Sequence, residues 1–314
     1  MMVTMFFSAG LVYPQKPHNF LWYNTDSKNI YDICLSYGGQ VLGVTDNEAI
    51  KIFSVLSGEL LAEFKDGHKN RIQAIDISKD STLLVSGGRD STLVIWDFQS
   101  QKILKTLDFH AGIITSVKIS PCNRYMIAGG TGRMLLYDIK ENIIITESVN
   151  HFTAVDFSPG AQIFACAEAG KTVYFYETQS GIMLAKLKAH KSWVRSISFS
   201  KNGTRLISCG DDSKVRIWDI SDLEHIELLR QSRRGFGWLL HAGLHDDHVT
   251  WAYGNFKGKA GIIHQFANYS VNLKVPVIRI LFVNQKESSL QVVAATMGKG
   301  AVMMNAVNMK ANMK

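Results

Sequence analysis

Two stretches of the chain share one pattern. "GGRDSTLVIWD", Gly87 to Asp97, returns as "CGDDSKVRIWD", Cys209 to Asp219, 122 residues later. Each is a tight polar turn running into an alternating apolar strand that ends in Trp-Asp. Upstream of each stands a histidine, so that His68, Ser86, Asp90 and Trp96 match His190, Ser208, Asp212 and Trp218 at intervals of 18, 4 and 6. A pattern held at three intervals in two places marks a repeated structural unit, which constrains the fold more than any single motif.

The histidines set a ruler. His68, His110, His151 and His190 lie 42, 41 and 39 residues apart, each before a new apolar strand. Period-two alternation and turn residues divide the unit after His68 into "RIQAIDIS", "LLVSGG", "TLVIWDF" and "ILKTLDF", four short strands. No segment has a convincing helical period. Other units are degenerate: after His110 the serine position is Ala128 and the tryptophan position Tyr137, and after His151 Cys166 and Gly170 replace the serine and the aspartate. One further unit precedes His68 and two follow Asp219, for a total of seven.

These residues resemble a WD-repeat β-propeller, in which a histidine precedes the first strand, a serine or threonine lies in the second, an aspartate in the next turn and a tryptophan in the third. The resemblance implies an all-β, seven-bladed ring. The last unit offers only three strands, through "GAVMMNAV", so "NFLWYN" (Asn19 to Asn24) is expected to supply the fourth and close the ring, removing an open sheet edge. Residues 18–314 then form one propeller, and residues 1–17 an apolar leader or N-terminal arm.

A buried indole N–H needs an acceptor, so the His, Ser, Asp and Trp sets read as structural networks rather than catalytic triads. The resemblance also implies which residues face partners. Those just after the histidine and just before the turn aspartate lie on one rim: Arg71, Gln73 and Arg89 in one blade, Trp193, Arg195 and Asp211 in the other. Tryptophan and arginine are common anchors of protein interfaces. The expected function is a non-catalytic scaffold that binds proteins or peptides on its rim and central channel, with acidic surfaces suited to Arg71 and Arg89.

Two alternatives accompany this reading. "SRRG" resembles the Arg-Arg-Gly signature of phosphoinositide-binding propellers, which would make Arg233 and Arg234 an anion site on a lipid surface. The apolar start, "MMVTMFFSAGLVYPQ", resembles the back half of a signal peptide but lacks a basic n-region, so an exported envelope propeller in a multiprotein assembly is the other. The compartment stays open, cytoplasmic by default and extracytoplasmic if that segment is a leader.

A net charge of +7 favours anionic partners only mildly. No run of basic residues or aromatic-basic stripe points to nucleic acid. The four cysteines lack Cys-x-x-Cys spacing. His241 and His245 would stand about 13 Å apart along one strand, too far to share an ion. No metal, cofactor or small-molecule substrate is expected.

Overall fold

The computed structural model describes residues 20–23, 30–110, 112–232, 237–245, 250–264, 267–283, 291–297 and 300–305. Residues 1–17 of the expected leader or arm lie outside these, as do Arg233 and Arg234. Every regular element among the described residues is a β-strand. In chain order they are β1 (Phe20–Tyr23); β2 to β5 (Ile33–Leu35, Val41–Asp46, Ala49–Ser54, Leu60–Phe64); and β6 to β9 (Ile72–Ile77, Leu83–Gly88, Thr92–Asp97, Ile103–Asp108). Next come β10 to β13 (Ile114–Ile119, Tyr125–Gly130, Met134–Asp138, Ile143–Ser148) and β14 to β17 (Phe152–Phe157, Ile163–Glu168, Thr172–Glu177, Met183–Lys188). The rest are β18 to β21 (Val194–Phe199, Arg205–Gly210, Val215–Asp219, Glu227–Gln231), β22 to β25 (Leu239–Leu244, Thr250–Asn255, Lys259–His264, Ala267–Asn272) and β26 to β28 (Val277–Val283, Gln291–Thr296, Gly300–Asn305).

They form seven four-stranded sheets. Six are runs of consecutive strands, and the seventh has the order β1-β28-β27-β26. The first strands pack in a cycle, β2 on β6, β6 on β10, β10 on β14, β14 on β18, β18 on β22, β22 on β26 and β26 on β2. This is an all-β propeller. β1 pairs antiparallel with β28, Phe20 opposite Met304 and Tyr23 opposite Ala301, so the described part of the expected closing segment, Phe20–Tyr23, completes the last sheet.

One hairpin recurs five times and explains why the strands stop where they do. Ser36, Ser78, Ser120, Ser158 and Ser200, all buried, end the first strands of their sheets. Each accepts on its backbone carbonyl the N–H three residues on, and on its Oγ the N–H five residues on. The third residue of that turn adopts positive φ: Gly39, Ser81, Asn123, Ala161 and Gly203. A serine hydroxyl thus replaces a missing ladder bond at the tightest part of the chain. These serines are spaced 42, 42, 38 and 42, a more reliable ruler than the histidines.

The core lies between sheets, as stacking of faces requires. Ile50, Ile52 and Phe64 of β2–β5 pack with Ile75, Leu84, Val94 and Trp96 of β6–β9. On the other face of β6–β9, Val85, Leu93 and Ile95 meet Val117, Met126 and Leu135 of β10–β13.

Candidate functional site

Two polar networks fix the loops that enter β6 and β18. Trp96 Nε1 donates to Ser86 Oγ at 2.9 Å, Ser86 lies 2.7 Å from His68 Nε2, and His68 Nδ1 lies 3.1 Å from Asp90. The copy repeats this with Trp218 to Ser208 at 2.9 Å, Ser208 to His190 at 2.8 Å and His190 to Asp212 at 2.8 Å. Along the chain from Trp through Ser and His to Asp one assignment of protons serves: the indole donates to the serine, the hydroxyl donates to Nε2, and Nδ1–H donates to the carboxylate. The carboxylate then takes the backbone N–H of Lys69, or of Lys191, which ties the entering loop to the blade.

Burial pushes His68 below its ordinary basicity, against the raising effect of Asp90. Burial alone would raise Asp212, but hydrogen bonds from His190, the Lys191 N–H and Arg216 prevail and hold its carboxyl well below the usual range. Asp90 is lowered in the same way by Lys69, His68 and Thr92. Although an Asp, a His and a Ser are aligned as a nucleophile would need, Ser86 and Ser208 are 0% exposed and both carry an indole N–H. Neither hydroxyl can reach a substrate.

The intervening units depart from the histidine ruler. His110 is exposed and pairs with Asp108, since Ala128 offers it no hydroxyl. His151 does not occupy the network position of its unit. Ser148, eighteen residues before Cys166, stands there and bonds Tyr176, while His151 sits edge-on to Trp193 with ring centroids 5.6 Å apart. The turn in that unit makes the spacing 38, and a histidine three residues late conceals it.

The six expected rim residues fall into two chemistries. Arg71 and Arg89 are exposed, both guanidiniums lie over the Tyr31 ring at 5.9 Å from its centroid, and Arg71 Nη1 donates to the Tyr31 hydroxyl at 2.8 Å. The Arg89 N–H bonds the Arg71 carbonyl at 2.9 Å, so the two backbones are locked together. In the other blade Arg195 forms two bonds to Asp211, at 2.8 and 2.6 Å, and lies 4.9 Å from the centre of the Trp193 ring, which is 40% exposed. Gln73 and Arg195 also line the central cavity.

Tyr31 is a residue that the sequence reading missed, although alignment of the first strands places it opposite Gln73. The aromatic pair Trp238 and Phe256 was also missed. Their rings are 6.0 Å apart and 61% and 50% exposed, on loops that correspond to those of Trp193 and Asp211.

The channel is a polar cavity of about 570 Å³. Its walls join neighbouring blades: Asp32 accepts the Ile75 N–H at 3.0 Å, Asp76 the Ile119 N–H at 2.9 Å, and Asp156 the Phe199 N–H at 2.8 Å. Thr115 donates to the Phe152 carbonyl, and Thr153 to that of Val194. Lys118 pairs with Asp76 at 2.7 Å, and Arg279 with Asp32 at 3.1 Å, linking the last unit to the first. Burial raises Asp32 and Asp156 against the lowering effect of these cations. Burial drives His241, beside Arg279 and Lys118, well below its ordinary value, so it is neutral. No group of residues able to hold a metal ion occurs among the described residues.

The ring of antiparallel sheets and the two networks define a β-propeller of the WD-repeat type. The family model for "WD domain, G-beta repeat" matches residues 58–97, 101–138 and 181–219, and the chain belongs to the WD-repeat β-propellers. It is similar to Pre-mRNA-processing factor 19 homolog 2 of Arabidopsis thaliana, 26% identical over 194 residues that cover 59% of this chain and 36% of that protein. Eukaryotic translation initiation factor 3 subunit I of Nematostella vectensis is 24% identical over 188 residues, 57% of this chain and 58% of that one. WD repeat-containing protein SL1-17 of Schistosoma mansoni is 28% identical over 162 residues, 50% and 53%. The matched region thus spans about a third to three fifths of these relatives' length.

Proposed function

We propose that the chain is a seven-bladed ring that works as a non-catalytic platform, binding partner proteins on the rim formed by Arg71, Gln73, Arg89, Trp193, Arg195 and Asp211. The blade count rests on the seven sheets and on the cycle of first strands that returns from β26 to β2. The observation that carries the functional reading is the exposed chemistry of one face. Trp193, Trp238 and Phe256 stand in loops there with Arg71 and Arg89, and large aromatics with arginines are the side chains that anchor interfaces. Because the networks hold the loops of Arg71 with Arg89 and of Trp193 in place, little ordering entropy is lost there when a partner docks.

Affinity purification with quantitative mass spectrometry tests this reading when it compares the parent protein with Trp193→Ala combined with Trp238→Ala. A control variant on the opposite face, Tyr37→Ala, completes the set. Partners should be lost from the rim variant and kept by the control. Equal recovery from all three proteins would remove the rim as the docking face.

A further inference from the structure

We propose that Arg71, Arg89 and Tyr31 form a receptor for a phosphate monoester carried on a segment of the partner protein. This rests on the platform reading and gives its partner a chemistry. Two guanidiniums gathered on one phenol ring repel each other, and nothing among the described residues neutralises them. Arg124, Arg133, Arg195, Arg216 and Arg279 all have a carboxylate partner. Arg71 and Arg89 have none. The nearest carboxylate in sequence, Asp90, is already committed: Oδ1 serves His68 and Thr92, and Oδ2 takes the Lys69 N–H.

The repeat supplies an internal control. In the blade built on His190, the positions of Arg71 and Arg89 are Trp193 and Asp211, and the same network forms. The fold therefore does not require the arginine pair. It does hold the pair in place, through the bond between their backbones and the Arg71 to Tyr31 bond.

Charge and donor count select the ligand. A carboxylate brings one negative charge and would leave one guanidinium uncompensated. A phosphate monoester brings a charge of about −1.5 to −2 and three acceptor oxygens, which matches two planar forks of N–H donors. Two residues after Arg71, Gln73 lines the central cavity, and its buried amide nitrogen has no hydrogen-bond partner among the described residues.

The test uses the full chain and fluorescence anisotropy with a labelled, degenerate phosphoserine and phosphothreonine peptide pool. Parallel arms carry the unphosphorylated pool, a glutamate-substituted pool, inorganic phosphate as competitor, and vesicles containing a phosphoinositide. Phosphopeptides should bind at least tenfold tighter than either other pool. Arg71→Ala and Arg89→Ala should each lose at least tenfold, with melting temperature unchanged because both residues are exposed, while Arg124→Ala leaves the affinity unchanged. Equal binding of phosphorylated and unphosphorylated pools, no binding of either, or indifference to both arginine variants overturns the proposal. Inorganic phosphate competing as well as peptide, or vesicles bound through the same two arginines, overturns the assignment to a protein segment. If phosphatase treatment leaves rim-dependent partners in place, the receptor fails while the platform stands; if no partner depends on the rim, the platform itself fails.

Discussion

The blades β6–β9 and β18–β21 contain the complete network, whereas β10–β13 and β14–β17 between them do not, yet all four bury their centres equally well. Where Ser86 and Trp96 hold a buried polar chain, Ala128 and Tyr137 fill the same space, and in the next blade Cys166 takes the serine position while Tyr176 stacks on Phe164 at 4.9 Å. A well-packed apolar substitute can equal a satisfied polar network in stability. What the network adds is position. It ties the entering loop to the blade, and the two blades that have it are the two that present Arg71 with Arg89 and Trp193 with Asp211.

Removing the largest buried member should separate the two kinds of blade most sharply. Trp96→Ala is expected to cost about 3–5 kcal/mol in unfolding free energy, because it empties a fully buried site and strands Ser86. Urea unfolding measures this, and a loss below 1 kcal/mol would mean that the indole is not integral to that core. Next in size is a reciprocal exchange. Ser86→Ala should cost about 1–3 kcal/mol by leaving the Trp96 N–H and His68 Nε2 without a partner, and Ala128→Ser should also destabilise, since it buries a hydroxyl in an apolar site. Stabilisation by Ala128→Ser would reveal a latent network in β10–β13 and dissolve the contrast.

The smallest effect is tied to pH. The Asp212 carboxyl titrates lower in the fold than its ordinary 3.8, so the unfolded chain takes up that proton first. Its contribution is therefore present above about pH 4 and lost as the pH falls below that value. Asp212→Asn should lower stability by on the order of 1 kcal/mol at pH 7, and the gap to the parent should close under acid. A gap that stays constant between pH 7 and pH 3 would mean that ionised Asp212 does not brace the His190 loop.

The repeat, the strand rhythm, both networks and the closing strand are local patterns, and each is legible in the residues. His151 misleads because a histidine near the right spacing looks the same in sequence whether it enters a network or lies against Trp193. The buried serines that end the first strands track the unit better, but serine is too common in turns to stand out. The channel charges were hidden for another reason. Asp32 and Arg279 meet only when the ring closes, and the first-strand position that holds Asp76 and Asp156 holds Lys118 in the blade between them, so no uniform periodic signal accumulates. Tyr31 was missed likewise, because its partners come from the following blade.

The pairing of β1 with β28 has a consequence for synthesis. The first strand of the ring leaves the ribosome about 280 residues before its partner, which at about 5–20 residues per second is an interval of tens of seconds. Throughout that time six sheets can form in order and stack on one another, while Phe20 to Tyr23 waits as an unmatched edge. The nascent chain is thus an open arc with an adhesive strand at one end, and any chaperone that protects it must release that strand last.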